Sequence, residues 1–121
     1  MTTRAGMFDD LERMDAHAWS SYLAPDSVAR FGNADPVYGR EACRDQLERF
    51  YRRVEALRHD VIDEWEHGDA TIVEANLTCT RTDGSEVTLP VVTIFRTNAK
   101  DLISDYRVYV DAAPVRAEVY N

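Results

Sequence analysis

The feature that most constrains this chain is a change of period on either side of one helix. Asp35-Pro36-Val37-Tyr38-Gly39-Arg40-Glu41 leads into Cys43, Leu47, Phe50, Tyr51, Val54 and Leu57, spaced by three and four residues. That spacing predicts a helix opening at Arg40, capped by Gly39 and running to Leu57 with one packed face. Glu41 lies in its first turn, and Arg52, Arg53 and Arg58 crowd its last, as the helix dipole favours. Upstream the pattern is mostly helical. Met7, Phe8, Leu11 and Met14 mark a short amphipathic helix. Asp15 caps a second one, with Trp19, Tyr22 and Leu23 on one side and Ala24-Pro25-Asp26 at its end. A short strand over 27–31 precedes the loop to the central helix. Downstream the period is two. Strands are predicted over 59–66, 71–81, 86–96 and 102–110, with Asp83-Gly84 as a hairpin turn between the second and third. The tail over 114–121 shows no pattern.

Helices first and a four-strand meander last predict an α+β domain: one curved antiparallel sheet wrapped around N-terminal helices. The 121 residues make a single domain, 1–121, large enough for a core hollowed by a pocket. Two strands are apolar on both faces; in 89–95, Val91 and Phe95 alternate with Val92 and Ile94. One face must cover the helices, and the other is expected to meet a second copy in a homodimer. A net charge of −8 argues against nucleic acid and anionic membrane as partners, since both select a basic surface. Arg4, Asp9, Asp10, Glu12 and Arg13 make the start unlike a signal peptide. Cys43 on the helix stripe and Cys79 in a strand read as buried, reduced thiols, and the chain as cytoplasmic.

The same residues resemble the nuclear transport factor 2-like superfamily of cone-shaped α+β domains, which includes SnoaL-like polyketide cyclases, ketosteroid isomerase and limonene-epoxide hydrolase. Pro36-Val37-Tyr38-Gly39-Arg40-Glu41-Ala42 is similar to the motif that opens the third helix there. Tyr106-Arg107-Val108-Tyr109-Val110-Asp111 is similar to the closing strand. The resemblance covers nearly the whole chain and implies a sheet curved around a ligand pocket. It does not carry over the known catalytic sets. Where ketosteroid isomerases place carboxylates this chain has Phe31 or Arg30, and Val91; where they place a tyrosine it has Met7. The water-orienting pair of the epoxide hydrolases falls on Ala29 and Phe31, their Arg-x-Asp pair on Glu74 and Asn76, and their third carboxylate on Val108.

Glu74-x-Asn76 is therefore the candidate catalytic pair. Period two puts Glu74, Asn76 and Thr78 on one face, and Val73, Ala75, Leu77 and Cys79 on the other. Two readings stand. Turning the apolar face to the core leaves Glu74 a solvated charge. The resemblance implies the reverse, with Glu74 in the pocket as an acid–base group, its carboxyl raised by apolar walls, and Asn76 beside it. The resemblance also implies a lining of Trp19, Tyr22, Phe31, Trp65, Val91, Thr93, Phe95, Tyr106 and Val108. His17, His59 and His67 lack the spacing of a metal site, although His59 could reach the pocket. With no phosphate loop, no nucleophile elbow and no base in sequence beside Cys43, neither metal nor cofactor is expected. Two functions remain open. One is a cofactor-independent isomerase, cyclase, dehydratase or epoxide hydrolase acting on a small apolar polyketide-, terpenoid- or steroid-like molecule. The other is a non-catalytic binding or dimerisation module of the same fold.

Overall fold

A computed structural model describes residues 2–115, with side chains from residue 6 onward. The tail beyond Val115, which showed no sequence pattern, lies outside the described residues. The elements follow the order α1 (Thr2–Glu12), α2 (Ala16–Ser20), β1 (Leu23–Phe31), β2 (Val37–Tyr38), α3 (Arg40–Tyr51), β3 (Val54–His67), β4 (Ala70–Arg81), β5 (Glu86–Thr97) and β6 (Ile103–Tyr109). One curved, unclosed sheet runs β2-β1-β6-β5-β4-β3. The α+β class is as expected. The sheet is mixed, because β1 pairs parallel with β6 while its other pairs are antiparallel. No described helix is long and apolar enough to cross a membrane.

The motif that opens α3 has a physical explanation. Gly39 adopts φ 95°, a conformation that costs a side-chain-bearing residue dearly, and its N–H donates to the Ser27 carbonyl at 2.7 Å. One residue on, the Arg40 guanidinium donates to the Leu23 carbonyl from Nε at 2.9 Å and from Nη2 at 2.6 Å. Cys43 is fully buried beneath them. These contacts fix the start of α3 against β1, so its buried stripe of Cys43, Leu47 and Tyr51 lies over the sheet.

The helix stops at Tyr51, six residues before the expected end. Val54 and Leu57 are buried, as their spacing suggested, but they belong to β3. The strand bulges between Val54 and Ala56, where the register against Arg81 and Thr80 slips by one residue. A bulge inverts the faces of everything beyond it, so residues three apart can both point inward and imitate a helical stripe. A second slip, between Val61 and Asp63, inverts the strand again.

The core lies between the helices and the concave face of the sheet. Trp19, Leu23, Met7 and Phe95 are almost wholly buried. Tyr106 sits at the centre, its ring 5.2 Å from Trp19 in an edge-on contact and 6.2 Å from Phe95 in a stacked one. Such aromatic pairs add about 0.5–1.5 kcal/mol beyond the area they bury. Both cysteines are free thiols in the interior.

Candidate functional site

α3 crosses the concave face without filling it, leaving a cavity of about 290 Å³. Allowing ~30 Å³ per water, that is roughly ten water molecules, or one compact organic ligand. The sheet supplies Phe31, Leu57, His59, Leu77, Cys79, Leu89, Val91, Thr93, Tyr106 and Val108. α3 and the turn after it supply Gln46, Leu47, Arg49, Phe50, Tyr51 and Arg53, and the segment beyond β6 adds Val110, Ala112 and Val115.

Five of the nine expected lining residues border this space: Phe31, Val91, Thr93, Tyr106 and Val108. Trp19 and Phe95 are buried behind Tyr106, packed on its ring instead of facing the cavity. Tyr22 donates its hydroxyl to Asp10 at 3.0 Å, in the joint between the first two helices. Trp65 is 46% exposed and paired with Ile72, whose opposite neighbour is Ile94. The bulge at Ile62 turns it to the convex face.

Glu74 and Asn76 also need correction. On β4 the cavity takes Leu77 and Cys79, and Val73 and Ala75 on the same face are buried. The alternation therefore puts Glu74 and Asn76 on the convex side, in rows with Asp63 and Val92 and with Asp60 and Pro90. The physical reason is the plainer of the two sequence readings: the continuous apolar face turned to the helices.

The acid–base group that does face the cavity is His59. It precedes the second bulge, so it shares the concave face with Leu57 and with its partner Leu77. The carboxylate of Glu12, at the end of α1, accepts the His59 backbone N–H at 2.5 Å and stands 3.4 Å from Nδ1. Phe8 packs on the ring at 4.9 Å. Burial pushes the imidazole below its ordinary value, and Glu12 pulls it part of the way back. His59 is thus held neutral near pH 7, with a carboxylate placed to offset the charge it gains on taking a proton. The sequence showed that His59 could reach the pocket. Its pairing with Glu12, 47 residues away, was invisible there.

Apart from Arg49 and Arg53, the other polar groups of the lining are neutral or spoken for. Burial pushes the Tyr106 phenol well up, Trp19 and Thr93 drawing it slightly back, so it is a hydrogen-bond donor and no base. The Tyr51 phenol, raised likewise by burial, donates to the Leu11 carbonyl at 2.9 Å. The Cys79 thiol is pushed up by burial, opposite to what a nucleophile requires. Gln46 Oε1 is buried with no hydrogen-bond partner among the described residues, and so is available to a ligand. His17 and His67 are exposed, and no three His, Cys, Asp or Glu side chains converge among the described residues.

The family model described as "SnoaL-like domain" matches residues 5–106. No curated protein matches the sequence. Among solved structures, an NTF2-like protein of unknown function from Burkholderia pseudomallei superposes with a TM-score of 0.86 at 17% identity, over 97% of this chain and 94% of that one. A protein described as a SnoaL-like polyketide cyclase, from Jannaschia, gives 0.82 at 21% identity, over 96% and 88%. An epoxide hydrolase of the limonene-epoxide hydrolase type from M. tuberculosis gives 0.73 at 18% identity, over 94% and 90%. At these identities the likeness is one of fold.

Proposed function

The chain belongs to the SnoaL-like domain family, and from that premise we propose that its cavity binds a small, largely apolar molecule and turns it over by acid–base chemistry at His59. The observation that carries this reading is the His59 imidazole on the concave face, backed by Glu12 and bordered by apolar walls. His59 takes a proton from a carbon or hydroxyl of the ligand and returns it at a second position. Glu12 offsets the imidazolium formed in between. Tyr106, Thr93 and Gln46 line the same space and supply hydrogen bonds to an oxygen of the ligand. The reaction classes that fit are isomerisation, cyclisation, dehydration and epoxide opening, and no step requires a redox group.

The convex face extends the reading to assembly. Trp65, Ile72 and Ile94 lie in adjacent rows with Val92 and Tyr109, and Trp65 and Tyr109 are about half exposed. Such an apolar patch on a polar chain supports a homodimer through the sheet. Val73, Ala75 and Leu77 take no part in such an interface, since they lie on the concave face.

The test is a ligand screen by thermal shift with ketones, epoxides and hydroxylated polycyclic compounds, followed by turnover of the hits. His59→Gln should retain binding and reduce turnover by at least ~100-fold, the low end for a general base. Glu74→Gln should leave it unchanged. Binding without turnover in the native protein would leave the family's non-catalytic alternative standing, a pocket that only holds its ligand.

A further inference from the structure

Resting on the pocket reading above, we propose that the ligand is an amphipathic organic anion, its apolar body in the cavity and its carboxylate or sulfonate head held by Arg49 and Arg53. The cavity lining contains two arginines and, among the described residues, no aspartate or glutamate. That bias runs against the chain as a whole, which carries 22 acidic residues against 14 basic ones.

The two arginines are also unspent. Arg13, Arg58, Arg96 and Arg107 each stand within 4 Å of an aspartate. Neither Arg49 nor Arg53 makes an ion pair with a described residue, although Asp45 lies one helical turn before Arg49. Both are exposed. The backbone holds them close together. Arg49 lies in the last turn of α3, and the Arg53 N–H donates to the Phe50 carbonyl at 2.9 Å, folding the chain back beside that turn.

A dipole-complementing role accounts for basic residues at a helix C-terminus. It does not require them to border a cavity, and Arg52, between them in sequence, does not border it. At the exposed rim of an apolar cavity, a guanidinium fork holds an oxyanion by charge-assisted, bidentate hydrogen bonds while the walls take the apolar body. The seat is thus amphipathic, with Leu77, Leu89 and Val91 taking the body and the paired guanidinium groups taking the head.

The experiment uses two fluorescent dyes with the same skeleton, 8-anilinonaphthalene-1-sulfonate and the neutral N-phenyl-1-naphthylamine. They are titrated into the native protein, Arg49→Gln/Arg53→Gln and Val91→Trp, the last of which fills the cavity. Circular dichroism checks that each variant is folded. The sulfonate should bind at least about tenfold more tightly than the amine. The double variant should lose that preference while keeping its affinity for the amine, and added salt should weaken the sulfonate alone. Equal affinities for the two dyes, both reduced by Val91→Trp, overturn the anion proposal and leave the pocket reading intact. Failure of both dyes to bind, or binding that a folded Val91→Trp leaves unchanged, overturns the pocket reading and this proposal with it. Competition then tests the head on a chain body and on an aromatic one. Displacement by decanoate (a chain acid) or 2-naphthoate (an aromatic acid), but not by decanol or 2-naphthol, supports the proposal; equal displacement by the neutral partners overturns it.

Discussion

The two faces of the sheet both carry large aliphatic residues and are opposite in use. On the concave face β4 presents Thr71, Val73, Ala75, Leu77 and Cys79, and β5 presents Leu89, Val91, Thr93 and Phe95, nearly all buried. On the convex face the same strands present Ile72, Glu74, Asn76, Val92 and Ile94, all part-exposed. The concave set is continuous in apolar and small residues, whereas the convex set interrupts Ile72, Val92 and Ile94 with Glu74 and Asn76. The helix layer then seals the continuous face, pinned to that side where Arg40 grips the Leu23 carbonyl. The same kind of residue is core on one face and contact surface on the other, because docking decides which face is sealed from water.

The comparison breaks most visibly at neighbours on one strand. Tyr106→Ala should destabilise the fold by about 3–5 kcal/mol in urea denaturation, since it empties the space between Trp19 and Phe95. Arg107→Ala, one residue on and facing out with Asp105 as its ion-pair partner among the described residues, should cost under about 1 kcal/mol. Similar losses at the two positions would mean that the faces are not distinct.

Next in size is assembly. Ile94→Lys should shift the species seen by light scattering at micromolar concentration from dimer to a folded monomer. Leu77→Lys should instead unfold the chain or abolish ligand binding, because it puts a charge into the cavity. A native protein that scatters as a monomer removes the convex face from the functional reading.

The smallest effect is in pH. Burial lowers His59 from 6.5, so below that pH the unfolded chain holds the proton more readily than the folded one. The contribution of His59 to stability is complete above about pH 6.5 and is lost as pH falls through its depressed folded value. Urea midpoints at pH 5 and 7 should therefore differ less in His59→Gln than in the native protein. An unchanged difference would put the ring in water.

Most of the fold was legible because its signals are local. The Pro36–Gly39 turn, the stripe through Cys43, Leu47 and Tyr51, and the Asp83-Gly84 hairpin each lie within a few residues. The site was less legible, and β3 shows why. Two one-residue slips reverse its alternation twice, so Val54 and Leu57 imitate a helix and Trp65 changes face, while no residue type announces either slip. Glu74 failed for a different reason. Two readings of its strand differed only in which face met α3, and that is settled by contacts between β1 and α3 tens of residues away. His59 needed Glu12 beside it, and that pairing is tertiary.

The parallel pairing of β1 with β6 has a consequence in time. Ala29 lies against Tyr106 and Phe31 against Val108, and the Gly32 N–H donates to the Val108 carbonyl at 2.8 Å, so the first strand closes on the last one made. Contacts so distant in sequence carry a high loop-closure cost and slow the search for the native state. During synthesis α3 and β1 can dock early, but the far edge of β1 waits, unpaired, for about seventy residues. Rejoining the chain so that β6 precedes β1 would convert that last long closure into a short one. Faster refolding of such a permutant, with little change in final stability, is the kinetic signature this topology implies.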